Sequence, residues 1–104
     1  MLYLMMNQEG NLVKVGQTKK LKERRQAYKT HNPTAIMRST CAGGRLDEAA
    51  CEMLLIGHHN AQQVNGTEWY KVSQEVFDSL YQLGLGFFKG YRNIGEIVHF
   101  KENF

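Results

Sequence analysis

The stretch that most constrains the fold lies between residues 12 and 25, where an apolar segment ends at a single glycine and a basic segment follows. The apolar run Leu12–Val15 ends at Gly16, and Thr18 opens a segment crowded with Lys and Arg. This pattern predicts a buried strand, a tight turn and a helix with Thr18 as its N-cap. A basic helix that starts beside a buried strand is well placed to bind a phosphate group.

The rest of the chain predicts an α+β fold, with a small three-stranded sheet in the order β-β-α-β-α and flanking helices. Leu2–Met6 and Leu12–Val15 are separated by a polar loop that contains glycine, which predicts a β-hairpin. The further predicted elements are a helix over about 19–29, a strand over 35–41, a helix over about 47–59, an extended segment over 68–72, a helix from Ser73 to Gly84 and a short strand over 97–100.

The second predicted helix has two sides of different chemistry. Its apolar side is predicted to face the core and consists of Leu46, Ala50, Met53, Leu54 and Gly57. Glu48 and Glu52 lie one turn apart on the opposite side. A helix carboxylate can hold a hard cation through oxygen, with water completing the shell. The alternative is an ordinary solvent-facing acid, and for Glu48 that alternative is the better interpretation.

Length and composition narrow the class of protein. The 104 residues are enough for one domain with a modest core, so 1–104 is assigned to a single unit. No apolar run approaches the ~20 residues that cross a bilayer, and the N-terminus lacks the basic start of a signal peptide. We therefore expect a cytoplasmic protein without a membrane partner. Two cysteines are too few for a disulfide framework, and their spacing is not that of metal ligands.

Charge is divided unevenly along the chain, although the net charge is only +3. Residues 1–46 contain nine Lys or Arg and two acids, whereas residues 47–104 contain four Lys or Arg and eight acids. A solvated surface would more often mix the signs. The separation therefore predicts a basic face that binds a polyanion.

The first predicted helix places Leu21, Arg24, Arg25 and Tyr28 on one stripe. Because Leu21 and Tyr28 should face the protein, Arg24 is expected on or beside the inward face, where an unpaired guanidinium is costly. Its partner is either a protein carboxylate or a substrate phosphate. An arginine stem lying over the core is a further structural alternative.

An ordered set of short motifs extends this pattern. Leu2-Tyr3-Leu4 and Lys14-Val15-Gly16 are followed by Arg24, eight residues after the glycine, then by Glu52 and by Glu68-Trp69-Tyr70. The set resembles the GIY-YIG nuclease superfamily, in the phage- and mobile-element-associated branch whose second motif is degenerate. The resemblance covers about residues 1–72, the motif-bearing core, and leaves the helix and tail at 73–104 outside it.

The resemblance implies a divalent-metal-dependent endonuclease that hydrolyses DNA phosphodiester bonds. In such a site Glu52 would hold one Mg²⁺ or Mn²⁺, and Arg24 would donate to a non-bridging phosphate oxygen. Tyr3 would position or deprotonate the attacking water. Lys14, which replaces the motif tyrosine, would help lower the pKa of Tyr3 or contact the phosphate itself. The cations expected to grip the flanking backbone are Lys19, Lys20, Lys22 and Arg25.

Two other functions are open on the same fold. Because the GIY glycine and the YIG tyrosine are both absent, one is a catalytically silent nucleic-acid-binding module. The other is an interaction protein, such as a phage-encoded inhibitor, with an exposed apolar patch around Phe87, Phe88 and Tyr91. DNA is the expected partner and RNA its alternative. With no separate DNA-reading domain in the sequence, a protein partner or a homodimer is a further expectation.

Overall fold

The computed structural model describes all 104 residues and has the predicted α+β fold. The strands are β1 Leu2–Asn7, β2 Leu12–Gln17, β3 Ala35–Cys41, β4 Gln62–Gln63, β5 Tyr70–Lys71 and β6 Val98–His99. The helices are α1 Leu21–His31, α2 Arg45–His59 and α3 Gln74–Leu83, and a 3₁₀ helix follows at Gly84–Phe88. None of the helices is both long and apolar enough to cross a bilayer.

The sheet has six antiparallel strands in the order β4-β5-β2-β1-β3-β6, not the three that the sequence predicted. The three additional strands have two residues each. They form where the chain runs beside a free edge of the sheet. Hydrogen bonding to strands far away in the sequence therefore defines them more than their own sequence pattern does. The division of the chain at residue 72 stays a prediction.

The central strand β1 is buried on both faces and separates two cores. Leu2, Leu4 and Met6 point to the side covered by α2 and α3, whereas Tyr3 and Met5 point to the side covered by α1. This alternation follows the two-residue period of a strand. The molecule is therefore layered, with α1 on one face of the sheet and α2 and α3 on the other.

The predicted inward face of α2 is wrong. Leu46 is 82% exposed and Met53 is 72% exposed, whereas the buried residues of the helix are Cys51 and Leu55. Of the predicted set, Leu54 does pack against the core and is partly buried. The helix has apolar residues on both sides, and periodicity alone cannot decide which side meets the sheet. As a result, the stripe with Glu48 and Glu52 turns towards the protein, and both glutamates are half-buried.

The turn before α1 also differs from the prediction. Gly16 lies inside β2, and α1 begins at Leu21 with Lys20 as its N-cap. Thr18 precedes the helix by more than one residue, and its hydroxyl accepts a hydrogen bond from the Lys20 backbone amide at 3.0 Å. Thr18 thus closes the turn and orders the approach to the helix without capping it.

The signals around α3 are confirmed. The Ser73 hydroxyl accepts a hydrogen bond from the Val76 amide at 3.2 Å, and Gly84 ends the helix with a φ of +57°. The apolar patch predicted after it is wrong, because Phe88 is fully buried and Phe87 is half-buried. The 3₁₀ helix turns these rings into the core and leaves only Tyr91 exposed.

Candidate active site

The ring of Tyr3 lies over Gly16 of the neighbouring strand β2. Tyr3 and Gly16 are directly opposite in the β1–β2 pair, and Tyr3 is only 1% exposed. A side-chain carbon at position 16 would overlap the Tyr3 ring and its hydroxyl. Gly16 therefore makes room for the Tyr3 ring.

Tyr3 lies beside a second tyrosine, which α1 supplies. The hydroxyls of Tyr3 and Tyr28 are 3.4 Å apart, and their rings meet edge to face with centroids separated by 6.0 Å. Burial, above all, and contact with Tyr28 raise the pKa of Tyr3 far above its usual value, although Lys14 and Arg24 act in the opposite direction. Lys14 therefore lowers the pKa of Tyr3 in the expected direction, but desolvation of the phenol outweighs it.

Lys14 is paired with an acidic side chain of the same chain. Its Nζ lies 3.1 Å from Glu68 Oε2 and 5.3 Å from the centre of the Tyr28 ring. Two-residue alternation places Lys14 and Gly16 on the same face of β2. Lys14 therefore links the segment Glu68-Trp69-Tyr70 to β2, the strand that packs against Tyr3 through Gly16.

These groups border an open cleft of about 370 Å³. Its lining consists of Tyr3, Gly16, Gln17, Arg24, Arg45, Glu48 and Glu68. Two guanidinium groups thus share the cleft with two carboxylates and a phenol. Such a mixed lining offers donors for an anion and oxygen ligands for a cation within one small space.

Glu48 is the helix carboxylate that lines the cleft. Burial raises its pKa first, and the negative charges of Glu52 and Glu68 raise it further. The interpretation of Glu48 as an ordinary solvent-facing acid is therefore wrong. It faces the cleft because α2 packs with the side opposite to the predicted one.

Glu52 lies one turn further along α2 and is engaged by another side chain. Its Oε2 accepts a hydrogen bond from the Tyr70 hydroxyl at 3.0 Å. Burial and this hydrogen bond raise the pKa of Tyr70 to about 12. Glu52 does not line the cleft itself, although its charge acts on both Glu48 and Tyr70.

The chain offers few ligands for a divalent ion. No three acidic, histidine or cysteine side chains converge as ligands. The protein could therefore supply one or two carboxylates, and Glu48 and Glu52 lie one turn apart on α2. Mg²⁺ commonly binds through one or two carboxylates plus water and substrate phosphate, so these residues fit such an ion.

Arg24 is exposed and forms no ion pair or side-chain hydrogen bond within the chain. The structural alternative of a carboxylate partner is therefore wrong for this residue, as is its inward placement. Arg24 lines the cleft and also a second hollow of about 410 Å³. That hollow is bounded by Thr18, Lys19, Lys20, Glu23, Arg24 and Ala27.

The remaining predicted cations differ in their surroundings. Lys19, Lys20 and Lys22 are exposed, and Lys20 has only a loose contact of 3.9 Å with Glu23. Arg25 is instead hydrogen-bonded to Glu102 through two of its nitrogens. Three lysines thus remain available on the surface, whereas Arg25 has a partner within the chain.

The structure brings Tyr3 and Arg24 together in one cleft, with Lys14 linked to it through Glu68 and Glu52 beside it. Sequence reasoning did not assign Tyr28, Arg45, Glu48 and Glu68 to this site. The i, i+4 spacing from Arg24 to Tyr28 could have indicated the second tyrosine. Nothing local in the sequence points Arg45 or Glu68 into the cleft.

A protein-family match covers the part of the chain that forms the cleft. The model of the T5orf172 domain matches residues 1–83, which include every cleft residue. The chain belongs to the T5orf172 domain family. This phage-associated family is nuclease-like, which indicates a nuclease-like or nucleic-acid-binding module. Neither curated proteins nor solved structures gave a significant match.

Proposed function

We propose that the protein is a divalent-metal-dependent endonuclease of the GIY-YIG type that hydrolyses DNA phosphodiester bonds. The single observation that favours this function is the position of Arg24. An unpaired guanidinium lies between a cleft that contains carboxylates and a hollow edged by lysines. A phosphodiester backbone would place one phosphate against Arg24 and its neighbours along Lys19 and Lys20.

Glu52 would hold a Mg²⁺ or Mn²⁺ ion together with Glu48. When bound, such an ion neutralises charge on the scissile phosphate and on the leaving oxygen. The hydrogen bond from Tyr70 leaves the other oxygen of Glu52 free. Because Glu48 and Glu68 repel each other electrostatically across the cleft, a cation there would relieve an existing cost.

Arg24 would donate to a non-bridging oxygen, where the guanidinium fork fits the phosphate geometry. Tyr3 would remain protonated, since its raised pKa disfavours the phenolate. It would therefore position the attacking water through its hydroxyl and would not remove the proton. The Tyr28 hydroxyl and the backbone of Gly16 both lie close to the Tyr3 hydroxyl and restrict its position.

A catalytically silent nucleic-acid-binding module is the second candidate. The pairing of Lys14 with Glu68 favours it, because this contact occupies the place of a motif tyrosine and neutralises one cleft carboxylate. Binding in that case would use the same lysines and Arg24. The two candidates differ only in whether the phosphate is cleaved.

The deciding experiment is cleavage of a supercoiled plasmid with Mg²⁺ or Mn²⁺ by the wild type, Glu52→Gln and Glu48→Gln. We expect metal-dependent nicking that falls at least ~100-fold in Glu52→Gln, since the amide retains an acceptor for Tyr70 but loses the charge. Glu75→Gln, an exposed acid on α3, is the matched control and should cleave normally. DNA binding by the wild type without cleavage under either metal would establish the silent module instead.

A further inference from the structure

The cleft contains a second unpaired guanidinium, that of Arg45. Arg45 lines the cleft together with Arg24, although it belongs to α2 and Arg24 belongs to α1. It is exposed and forms no ion pair or side-chain hydrogen bond within the chain. Two guanidinium groups thus reach one space of about 370 Å³ from helices on opposite faces of the sheet, and neither has an anion of its own.

Within the chain, the position of Arg45 is unfavourable for a cation. Arg45 is the first residue of α2, where the helix dipole favours negative charge. The other charged residues of the first turn, Asp47 and Glu48, are acidic, as that dipole favours. Glu48 does not neutralise Arg45, since the two form no ion pair, and the cation that lowers the pKa of Glu48 is Lys14. An anion from outside the chain would satisfy the guanidinium and the start of the helix together.

The first turn of α2 is held in place by its neighbours. The Gly44 amide donates to Asp47 Oδ2 at 2.9 Å, and Arg92 Nε donates to Asp47 Oδ1 at 2.8 Å. A side-chain carbon at Gly43 would lie 2.7 Å from Leu2 Cγ, so the loop before the helix packs directly on β1. The guanidinium at the start of α2 therefore projects from a preorganised turn, which lowers the entropic cost of binding a ligand.

The cations beside Arg45 form a band that continues beyond the cleft. Arg24 lines both the cleft and the second hollow, so it lies between Arg45 on one side and Lys19 and Lys20 on the other. A single phosphate group would occupy only the cleft or only the hollow. A nucleic acid strand carries one phosphate at every nucleotide and can therefore contact the whole band. The band thus fits a strand better than a small phosphate ligand.

We propose that Arg45 binds the phosphate next to the scissile one, on the side away from Lys19 and Lys20. This inference rests on the proposed function, because it takes the phosphate at Arg24 to be the one that is cleaved. Arg45 then contributes affinity and holds the strand across the cleft, whereas Arg24 contacts the reacting phosphate. The substrate must extend beyond the scissile phosphate on both sides, so the bond cut is an internal phosphodiester and not one at a chain end.

Binding measured without divalent metal tests the contact independently of cleavage. Fluorescence anisotropy with a labelled duplex should show that Arg45→Gln weakens binding about tenfold at low salt. The slope of log affinity against log salt should fall by about 0.9, for one lost phosphate contact. Arg45→Lys should keep the slope and recover only part of the affinity, because it retains the charge but not the guanidinium fork. Lys89→Gln, which changes an exposed lysine outside the cleft and the second hollow, is the matched control and should bind normally.

Thermal unfolding separates this role from a structural one. Arg45 makes no polar contact that stabilises the fold, and its charge opposes the helix dipole. Arg45→Gln should therefore have a Tm equal to that of the wild type or slightly above it. A clear fall in Tm would mean that Arg45 supports the fold, and it would overturn the proposal.

Single-turnover cleavage places the contact relative to the scissile phosphate. Arg45→Gln should raise the protein concentration that gives the half-maximal rate about tenfold, and it should change the maximal rate by less than about threefold. Arg24→Ala should instead lower the maximal rate at least ~100-fold. Once the cut is mapped, a neutral methylphosphonate at one of the two neighbouring phosphates should weaken binding by the wild type about tenfold but leave Arg45→Gln unaffected.

The outcomes distinguish this inference from the proposed function. Wild-type protein that binds DNA without cutting it, with affinity lost in Arg45→Gln, would retain the Arg45 contact with the strand and reject the endonuclease. Cleavage by the wild type, with affinity and salt slope unchanged in Arg45→Gln, would overturn the contact and leave the endonuclease intact. A loss confined to the maximal rate would place Arg45 at the scissile phosphate and contradict the proposal. A wild type that does not bind DNA at low salt would overturn both.

Discussion

Two neighbouring arginines lie on different sides of α1 and differ in their contacts. Arg24 faces the cleft and forms no ion pair or side-chain hydrogen bond within the chain, whereas Arg25 is bound to Glu102 and stacks over Phe100 at 4.1 Å. Glu102 also accepts a hydrogen bond from the Met37 amide at 3.1 Å. On one side of the helix the cation is neutralised and structural, and on the other it is left for something outside the chain.

The partner of Arg25 comes from outside the matched family domain, which ends at residue 83. Residues 98–104 pair with β3 and hold the tail-facing side of α1 in place. The cleft-facing side is built only from residues inside the matched domain. We infer that the tail stabilises α1, whereas the shared domain supplies the site, and the predictions below test this division.

Arg24→Ala should have the largest effect on cleavage. If the guanidinium donates to the phosphate, its loss should lower the single-turnover rate by ~100- to 1,000-fold. The free energy of unfolding should change little, because the side chain is exposed and makes no contact that stabilises the fold. Arg24→Lys is the control and should recover part of the rate but not the bidentate contact. Equal losses of rate and stability in Arg24→Ala would contradict the division of α1 into two sides.

Gly16→Ala should have the largest effect on stability. The added methyl would overlap the Tyr3 ring, so either the ring or β2 must move. Overpacking of this kind costs about 1–3 kcal/mol, measurable by urea unfolding. Gly95→Ala, where a side-chain carbon meets nothing, should stay within ~0.5 kcal/mol of the wild type. A stable Gly16→Ala protein with unchanged tyrosine fluorescence would mean that Gly16 does not fix Tyr3.

Arg25→Ala should act on stability and not on the chemistry. Its loss removes a partly buried ion pair with two hydrogen bonds and the stacking on Phe100, which together contribute about 1–2 kcal/mol. Glu102→Gln should produce a similar loss, and the double variant should lose less than the two single losses combined. The cleavage rate per folded molecule should remain within about twofold of the wild type at a temperature where all variants are folded.

Lysines of the second hollow should affect DNA binding by smaller steps. Lys19→Gln and Lys20→Gln, and Lys22→Gln on the exposed surface beside the hollow, should each reduce the slope of log affinity against log salt by about 0.9 for a lost phosphate contact. Lys101→Gln, an exposed lysine in the tail, is the control on the other side of α1. Fluorescence anisotropy with a labelled duplex measures the slope. Equal effects from Lys101 would place the DNA elsewhere.

The parts of this molecule that sequence predicted are those set by neighbouring residues. The hairpin, the strand at 35–41 and α3 with its Ser73 cap follow from local period and capping, and their bounds agree closely. The side of α2 that packs was not predictable, because Cys51 and Leu55 compete with a larger outward stripe. Contacts between residues far apart in the sequence were not predictable either. No local pattern links Arg25 to Glu102, which lies 77 residues further along the chain.

The site was predictable only in part on the same grounds. Tyr3, Arg24 and Glu52 were indicated by motif order, whereas Glu48 and Glu68 enter the cleft through tertiary packing. The sequence could supply residue types and spacing. It could not supply the desolvation that raises the pKa of Tyr3, because that quantity depends on what covers the ring.

Glu48→Gln should give the smallest change and the clearest pH signature. The pKa of Glu48 is raised by burial and by Glu52 and Glu68, so the folded state holds this proton more tightly than the unfolded state. Stability contributed by the protonated group is therefore lost as pH rises from the ordinary glutamate pKa through the raised folded value. The amide removes that loss, and we expect Glu48→Gln to be slightly more stable than the wild type at neutral pH. Thermal unfolding between pH 4 and 8 would show the wild-type and Glu48→Gln curves diverging as pH rises, whereas Glu75→Gln should follow the wild type. Parallel curves across this range would mean that Glu52 and Glu68 do not repel Glu48 measurably. A cation bound in the cleft would then relieve no charge repulsion.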